Sequence, residues 1–320
     1  MIDKHLYYLY LCGKRKEKQM KEYFCNINGG MGIDHWSPSS SDMPLAKWVT
    51  NYGYHTPKER DQFLMNYKPR IGNLTNNTAQ RLLCDYRYFK DKKAKIENRN
   101  YNEIYKQELD DINKYDPIDE QDKFARNNID ELAHKIIEQI KKLYKEIFKD
   151  EKTAAERYVV NKPKELIHDI IGRIDYESNT KFLELKTKPS KCYKRKNKNE
   201  YYWKQQELSE DSIFDGYWKQ VAFYWKCTGK KPFLALANED DYLIFDDTHE
   251  KMKADHLEYQ FNLMTKKIYR WEQMIIYCKG NLAELAKITE EPDLNHYFHY
   301  KSLTDKQKQI IKELWGLDAK

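Results

Sequence analysis

Two short apolar runs decide the fold: Ile170-Ile171-Gly172-Arg173-Ile174-Asp175-Tyr176 and Lys181-Phe182-Leu183-Glu184-Leu185-Lys186-Thr187. Both are rich in β-branched, leucine and aromatic residues, and the turn-forming residues 177–180 separate them, so they predict a β-hairpin. Because side chains alternate along a strand, Glu184 and Lys186 share one face of the second strand. Leu183 and Leu185 then point into the core.

The polar face of this hairpin predicts a chemical site. Arg173 and Asp175 share a face of the first strand, and if the two polar faces match, Asp175, Glu184 and Lys186 converge. Hard divalent cations such as Mg²⁺ prefer carboxylate oxygens, and a lysine can hold or help deprotonate a water and offset developing charge. That set suits phosphodiester hydrolysis. An ordinary exposed hairpin with a polar face is the alternative.

Outside the hairpin, the periodicity predicts an α/β fold with a mainly helical N-terminal lobe. Helices are predicted at 14–23, 42–51, 58–68, 76–92, 100–113, 127–149, 213–228, 250–278 and 304–315. Further strands are predicted at 158–160, 233–237 and 242–245. We expect residues 1–150 to form the helical lobe, packed on a core of residues 151–320 that includes the C-terminal helices.

The composition excludes several classes of protein. The six cysteines among 320 residues are widely spaced, with no CxxC pair, so we expect neither a zinc ribbon nor a disulfide framework. The first residues lack the apolar core of a signal peptide, and no run is long enough to span a bilayer. The expected location is the cytoplasm, without membrane association.

Positive charge is concentrated in residues 181–204. This segment holds nine basic and two acidic residues, so it carries +7, whereas the whole chain carries +6. Basic residues neutralise phosphates and aromatic rings stack on unpaired bases, which predicts a nucleic-acid surface; a solvated lysine loop is the alternative. The candidate DNA contacts are Arg173, Lys188, Lys191, Lys194, Arg195, Lys196, Lys198, Tyr201 and Trp203.

The order of three motifs resembles a known superfamily. Gly172-Arg173-Ile174-Asp175 and Glu184-Leu185-Lys186 resemble the metal motif of the PD-(D/E)XK nucleases, and Gln220-Val221-Ala222-Phe223-Tyr224 resembles the Gln-x-x-x-Tyr motif of their RecB-like branch. Trp36-Ser37-Pro38-Ser39-Ser40 is similar to the Ser-Pro-Ser opening of such domains. Residues 156–245, with the terminal Leu314-Trp315-Gly316, resemble phage exonucleases. The resemblance implies a central mixed β-sheet flanked by helices.

The resemblance also implies roles for individual residues. Asp175, Glu184 and the Leu185 carbonyl would ligate the metal, and Lys186 would be the catalytic lysine. Gln220 and Tyr224 would line the active site, although both could simply pack on the sheet. Two further metal ligands are suggested, Glu156 and His134, for which surface positions are about as plausible. We expect a structural or substrate-facing role for His168.

The activity that the resemblance implies is a Mg²⁺- or Mn²⁺-dependent DNA exonuclease, in phage DNA replication, recombination or degradation in the host cytoplasm. The alternatives are a structure-specific endonuclease on the same core and a non-catalytic DNA-binding scaffold. Cys278 stands alone near the C-terminus and residues 227–231 depart from a Walker A sequence, so we expect no iron–sulfur cluster and no ATP. Besides DNA, the expected partners are a second copy of the chain or phage recombination and replication proteins.

Overall fold

The computed structural model describes residues 24, 35–39, 41, 43–53, 67–89, 92–114, 116–117, 119–196, 200–295 and 303–319. The helix predicted at 14–23, most of that at 58–68, and Lys198 lie outside these residues. Within them, no helix has the length and apolar character needed to cross a membrane.

Among the described residues, seven strands form one mixed sheet: β1 (Tyr86–Phe89), β2 (Lys92–Lys95), β3 (Ala154–Asn161), β4 (Ile170–Glu177), β5 (Lys181–Thr187), β8 (Lys231–Ala237) and β9 (Tyr242–Phe245). Their order across the sheet is β2-β1-β3-β4-β5-β8-β9. β5 pairs antiparallel with β4 and parallel with β8, and β8 pairs antiparallel with β9. The remaining strands, β6 (Lys191–Lys194) and β7 (Tyr201–Lys204), form a separate antiparallel hairpin.

Helices flank this sheet, which confirms the predicted α/β class. Among residues 65–159 and 172–261 the helices are α2 (Tyr67–Leu83), α3 (Tyr101–Asn113), α4 (Glu120–Asn127), α5 (Ile129–Phe148) and α6 (Asp215–Thr228). The other helices of the described residues are α1 (Leu45–Trp48), α7 (Ala254–Tyr277), α8 (Leu282–Ile288) and α9 (Asp305–Trp315). The apolar stripe of α5 is buried together with Leu183 and Leu185 of β5 and Phe233 of β8. Burial on both faces explains why β8 reads as a continuous apolar run.

The chain forms two compact units. One comprises residues 65–159 and 172–261, and the other comprises residues 1–64, 160–171 and 262–320. The boundary predicted at residue 150 falls inside the first unit, between α5 and β3. In the second unit, Trp36 forms a parallel bridge with Ile170, and its ring lies 5.7 Å from that of Trp271.

Local signals fixed several element ends correctly. The α6 and α9 helices end at Gly229 and Gly316, whose φ angles of 65° and 69° are left-handed, a conformation that glycine adopts without steric penalty. A capping box between Thr304 and Gln307 opens α9.

Two parts of the predicted secondary structure are wrong. The helix predicted at 76–92 stops at Leu83, and Tyr86–Phe89 forms β1 because it pairs with β2 and with Ala154 and Ala155 of β3. Such long-range pairing overrides local helix propensity. The α1 helix is also far shorter than the predicted 42–51, since Leu45–Trp48 is followed by a wider π-type turn over Val49–Gly53.

Candidate active site

Neighbouring strands bring Asp175 of β4 beside β5. The antiparallel ladder pairs Tyr176 with Leu183 and Glu177 with Phe182. Next along the strand, the Asp175 carboxylate accepts the backbone N–H of Leu185 at 2.9 Å. Asp175 is therefore held against the strand that carries Glu184 and Lys186.

Glu184 and Lys186 form an ion pair in which the glutamate is buried and the lysine is half-buried. Lys186 Nζ lies 2.5 Å from Glu184 Oε1, and the Glu184 side chain is only 3% exposed. The other carboxylate oxygen, Glu184 Oε2, is buried without a hydrogen-bond partner among the described residues. An unpaired buried carboxylate oxygen is energetically unfavourable unless a cation or water satisfies it. The Lys186 ammonium also lies 4.8 Å from the centre of the Tyr217 ring.

Burial and like charge strongly perturb this site. Desolvation raises the pKa of Asp175 well above its ordinary value, and the neighbouring Glu184 and Glu156 carboxylates raise it further. For Lys186, burial alone would lower the pKa, but Glu184 and Asp175 outweigh it, so the net shift is upward. The free protein therefore keeps Lys186 as an ammonium ion beside carboxylates that repel one another.

Glu156 of β3 adjoins the same group. Its side chain is buried, and its Oε2 atom lies 2.7 Å from the Arg173 guanidinium, which is 56% exposed. The backbone φ of Glu156 is 64°, an uncommon value for a residue with a side chain. Such strain persists where surrounding contacts enforce it, often at functional sites.

Two amides of α2 complete the group, and sequence reasoning missed both. Gln80 Nε2 donates to Glu156 Oε1 at 2.9 Å and to the backbone carbonyl of Asp175 at 3.1 Å. Asn76 Nδ2 donates to Asp175 Oδ1 at 3.2 Å, while its own Oδ1 accepts the Tyr176 hydroxyl at 2.8 Å. The available signal was their spacing, because residues four apart share a helix face.

The α6 helix packs closely on β4. An added Cβ at Gly172 would lie 2.6 Å from Tyr224 Cε1 and 2.8 Å from Phe223 Cε1, so only glycine permits this approach. The Tyr224 hydroxyl donates to the backbone carbonyl of Arg173 at 2.9 Å. Burial raises the pKa of Tyr224, and the Glu184 and Asp175 charges raise it further, so this donor stays protonated.

Gln220, His134 and His168 lie in three different surroundings. Gln220 is buried on α6 at 8% exposure. The exposed His134 contacts tyrosines: its Nδ1 hydrogen-bonds the Tyr101 hydroxyl, and its ring stacks 4.4 Å from that of Tyr105. None of these contacts joins His134 to the carboxylates. His168, in the second unit, lies with its Nδ1 3.4 Å from Glu272 Oε1.

Several predicted DNA contacts have partners within the protein. Tyr201 and Trp203 turn inward, with ring centres 5.4 and 6.2 Å from that of Phe124. Lys188 Nζ donates to the backbone carbonyl of Ser212. The exposed aromatic residues of the hairpin are their strand neighbours Tyr193 and Tyr202.

The three neighbouring carboxylates suit a hard divalent cation. Asp175, Glu184 and Glu156 offer oxygen ligands, and Glu184 Oε2 has a free lone pair. As the side chains stand, Lys186 pairs with Glu184 and Arg173 with Glu156. Among the described residues, no three His, Cys, Asp or Glu side chains are already arranged to hold a metal ion. Coordination of one cation by all three carboxylates would therefore require these side chains to rearrange.

Comparisons with known proteins add little. No protein-family profile matches the chain, and no curated protein sequence matches it. A candidate exonuclease from Eubacterium rectale has a crystal structure with a similar arrangement, at 12% sequence identity and a TM-score of 0.46. The match covers 77% of this chain and 82% of that one. The assignment of the site therefore rests on its own geometry.

Proposed function

We propose that the chain is a metal-dependent nuclease that hydrolyses DNA phosphodiester bonds at the Asp175–Glu184–Lys186 group, acting as an exonuclease. The observation that carries the proposal is the buried Glu184 oxygen without a partner, beside an Asp175 whose pKa burial and neighbouring charges raise. Perturbed, mutually repelling carboxylates are typical of functional sites. An ordinary exposed hairpin would leave these carboxylates in solvent, where burial would not raise their pKa values.

Asp175, Glu184 and the Leu185 carbonyl would hold Mg²⁺ or Mn²⁺, with Glu156 as a further oxygen ligand. The bound ion would supply Lewis-acid stabilisation of the phosphoryl oxygens. Lys186, charged in the free protein, would stabilise the negative charge that develops on the phosphoryl oxygens. The raised pKa favours this role over proton abstraction. Asn76 and Gln80 would orient the carboxylates.

The test is digestion of end-labelled single- and double-stranded DNA with and without Mg²⁺ or Mn²⁺. We expect cleavage by the wild type and none above background by Asp175→Ala or Lys186→Ala. Glu177→Gln is the matched control, because Glu177 is a buried carboxylate of the same strand whose charge Arg157 and Lys230 balance, at 2.5 and 2.6 Å. DNA binding without metal-dependent cleavage would instead indicate a scaffold.

A comparison of linear and covalently closed circular DNA tests the exonuclease part of the proposal. An exonuclease degrades the linear molecule and leaves the circle intact. Efficient cutting of closed circles would contradict end dependence and favour an endonuclease on the same core. The same reaction, sampled over time from DNA labelled at either end, reports polarity.

A further inference from the structure

The β6–β7 hairpin presents an aromatic surface that is separate from the carboxylates of Asp175, Glu184 and Glu156. The register pairs Tyr193 with Tyr202 directly across the two strands. Their rings are stacked, with centres 5.9 Å apart and planes at 29°, and each tyrosine is 40% exposed. Large aromatic side chains exposed together on a strand surface are candidates for an interaction site.

Positive charge surrounds this tyrosine pair. Side chains alternate along each strand and directly paired residues share a face, so Lys191 and Lys204 lie on the tyrosine face, two pairs along from Tyr193 and Tyr202. At the turn end of the same hairpin, the Arg195 guanidinium lies 5.9 Å from the centre of the Tyr202 ring. The nearby acid in the described strands and turn is Glu200, whose carboxylate is 3.7 Å from Arg195. The face is therefore aromatic at its centre and basic at both ends.

The opposite face of the hairpin fixes this orientation. Tyr201 and Trp203 pack on Phe124, and Cys192 is buried. Since side chains alternate along each strand, anchoring one set leaves Tyr193 and Tyr202 facing solvent. The exposure of the pair is thus a consequence of folding.

We propose that the Tyr193–Tyr202 face binds single-stranded DNA, with unpaired bases stacked on the tyrosines and phosphates on Lys191, Lys204 and Arg195. The inference rests on the proposed function and extends it to the strand that enters the site. Aromatic rings can stack only on unpaired bases, whereas a duplex would engage only the cations. Tyr193 follows Lys186 by seven residues, a length of chain that spans at most about 25 Å.

The experiment measures binding without cleavage. Fluorescence anisotropy in the presence of a chelator would measure binding of the full chain to an oligothymidylate of about 15 nucleotides. The same measurement would be made with that strand paired to oligodeoxyadenylate. For Tyr193→Ala/Tyr202→Ala we expect single-strand binding to weaken about tenfold and duplex binding to change less than about twofold. Tyr202→Phe keeps the ring and should bind like the wild type.

Two further variants separate stacking from charge. Tyr259→Ala is the matched control, because Tyr259 is 57% exposed on α7, and it should leave binding unchanged. Lys191→Ala should reduce the dependence of binding on salt, whereas the double tyrosine variant should not. Equal losses for single strand and duplex, or no loss in the double variant, would overturn the inference.

The outcome is distinguishable from that of the proposed function. Asp175→Ala should lose cleavage but bind single strands normally. Normal single-strand binding by the double tyrosine variant would remove the inference and leave the nuclease proposal intact. Tyrosine-dependent single-strand binding by a protein that no divalent metal activates would support the inference and remove the nuclease proposal.

Discussion

Glu272 and Glu184 are both buried carboxylates, and their surroundings differ sharply. Glu272 is wholly buried and accepts the Trp36 indole N–H at 2.9 Å and the backbone N–H groups of Ile167 and His168 at 2.8 and 3.1 Å. Glu184 has one partner, Lys186, and an oxygen with none among the described residues. A satisfied carboxylate stabilises the fold, whereas an unsatisfied one beside other acids is suited to a ligand.

The largest expected effect concerns activity at the unsatisfied site. Glu184→Gln keeps the shape of the side chain but removes the charge, so DNA cleavage in Mg²⁺ should fall about a thousandfold, because a preorganised electrostatic contact is lost. The free energy of unfolding should fall little, since the acids of the group repel one another. Initial rates and urea denaturation measure the two quantities. A variant with a much lower free energy of unfolding but an unchanged cleavage rate would contradict this comparison.

At Glu272, the main effect of substitution is expected on stability. Glu272→Ala leaves the Trp36 indole and two backbone N–H groups without their acceptor, so the free energy of unfolding should fall by about 3 kcal/mol or more. Urea denaturation checks this. Glu284→Ala is the control, since Glu284 forms an exposed pair with Lys287, 2.7 Å apart, and should change stability by less than about 1 kcal/mol.

The pH dependence of stability should report the buried environment of Asp175. Because the folded-state pKa of Asp175 is raised, its protonated form favours folding below its ordinary pKa of 3.8, and this contribution is lost as pH rises through the raised value. A tenfold change in the protonation equilibrium corresponds to about 1.4 kcal/mol. In chelator, the stability of Asp175→Asn relative to wild type should therefore increase with pH over that window.

Urea denaturation at a series of pH values measures this slope. Added Mg²⁺ should offset the loss of wild-type stability as the pH rises, because a ligand that binds only the folded state stabilises that state. Parallel pH profiles of wild type and Asp175→Asn would contradict the assigned environment of Asp175.

A smaller effect is expected where α6 meets β4. Gly172→Ala places a methyl group within 3 Å of the Tyr224 and Phe223 rings, and overpacking of this kind costs about 1–3 kcal/mol. The shifted helix carries Gln220, so kcat should fall as well. Gly316→Ala is the control, because its Cβ would contact nothing within 4 Å and its effect would come only from the left-handed backbone. Unaltered kcat in Gly172→Ala would show that the α6 position is not critical.

The smallest effect concerns the amide donors. Gln80→Met keeps the size of the side chain and removes the hydrogen bonds to Glu156 and to the Asp175 carbonyl. Cleavage should fall about tenfold, as for residues that orient metal ligands, with a weaker apparent affinity for Mg²⁺. Asn77→Ala, on the same helix but bonded to Glu108 at 3.0 Å, is the control. A reduced rate with the same Mg²⁺ dependence would argue against an orienting role.

The strands and helix ends around the site followed from local sequence. The apolar runs of β4, β5, β8 and β9 and the glycines at 229 and 316 act through short-range physics: alternation of side chains along a strand and the left-handed freedom of glycine. The pairing that brings Asp175 beside β5 followed from the short turn at 177–180. The metal, the substrate and the exonuclease mode remain predictions.

The sequence by itself determined that an acidic pair and a lysine lie on adjoining strands of an α/β protein. Only the tertiary structure decided that the Asn76 and Gln80 amides contact this site, that the backbone of Glu156 is strained, and which face of the β6–β7 hairpin turns inward. The physical reason is range. Alternation and turn geometry act over a few residues, whereas burial, charge repulsion and hydrogen-bond pairing depend on segments that meet only after folding.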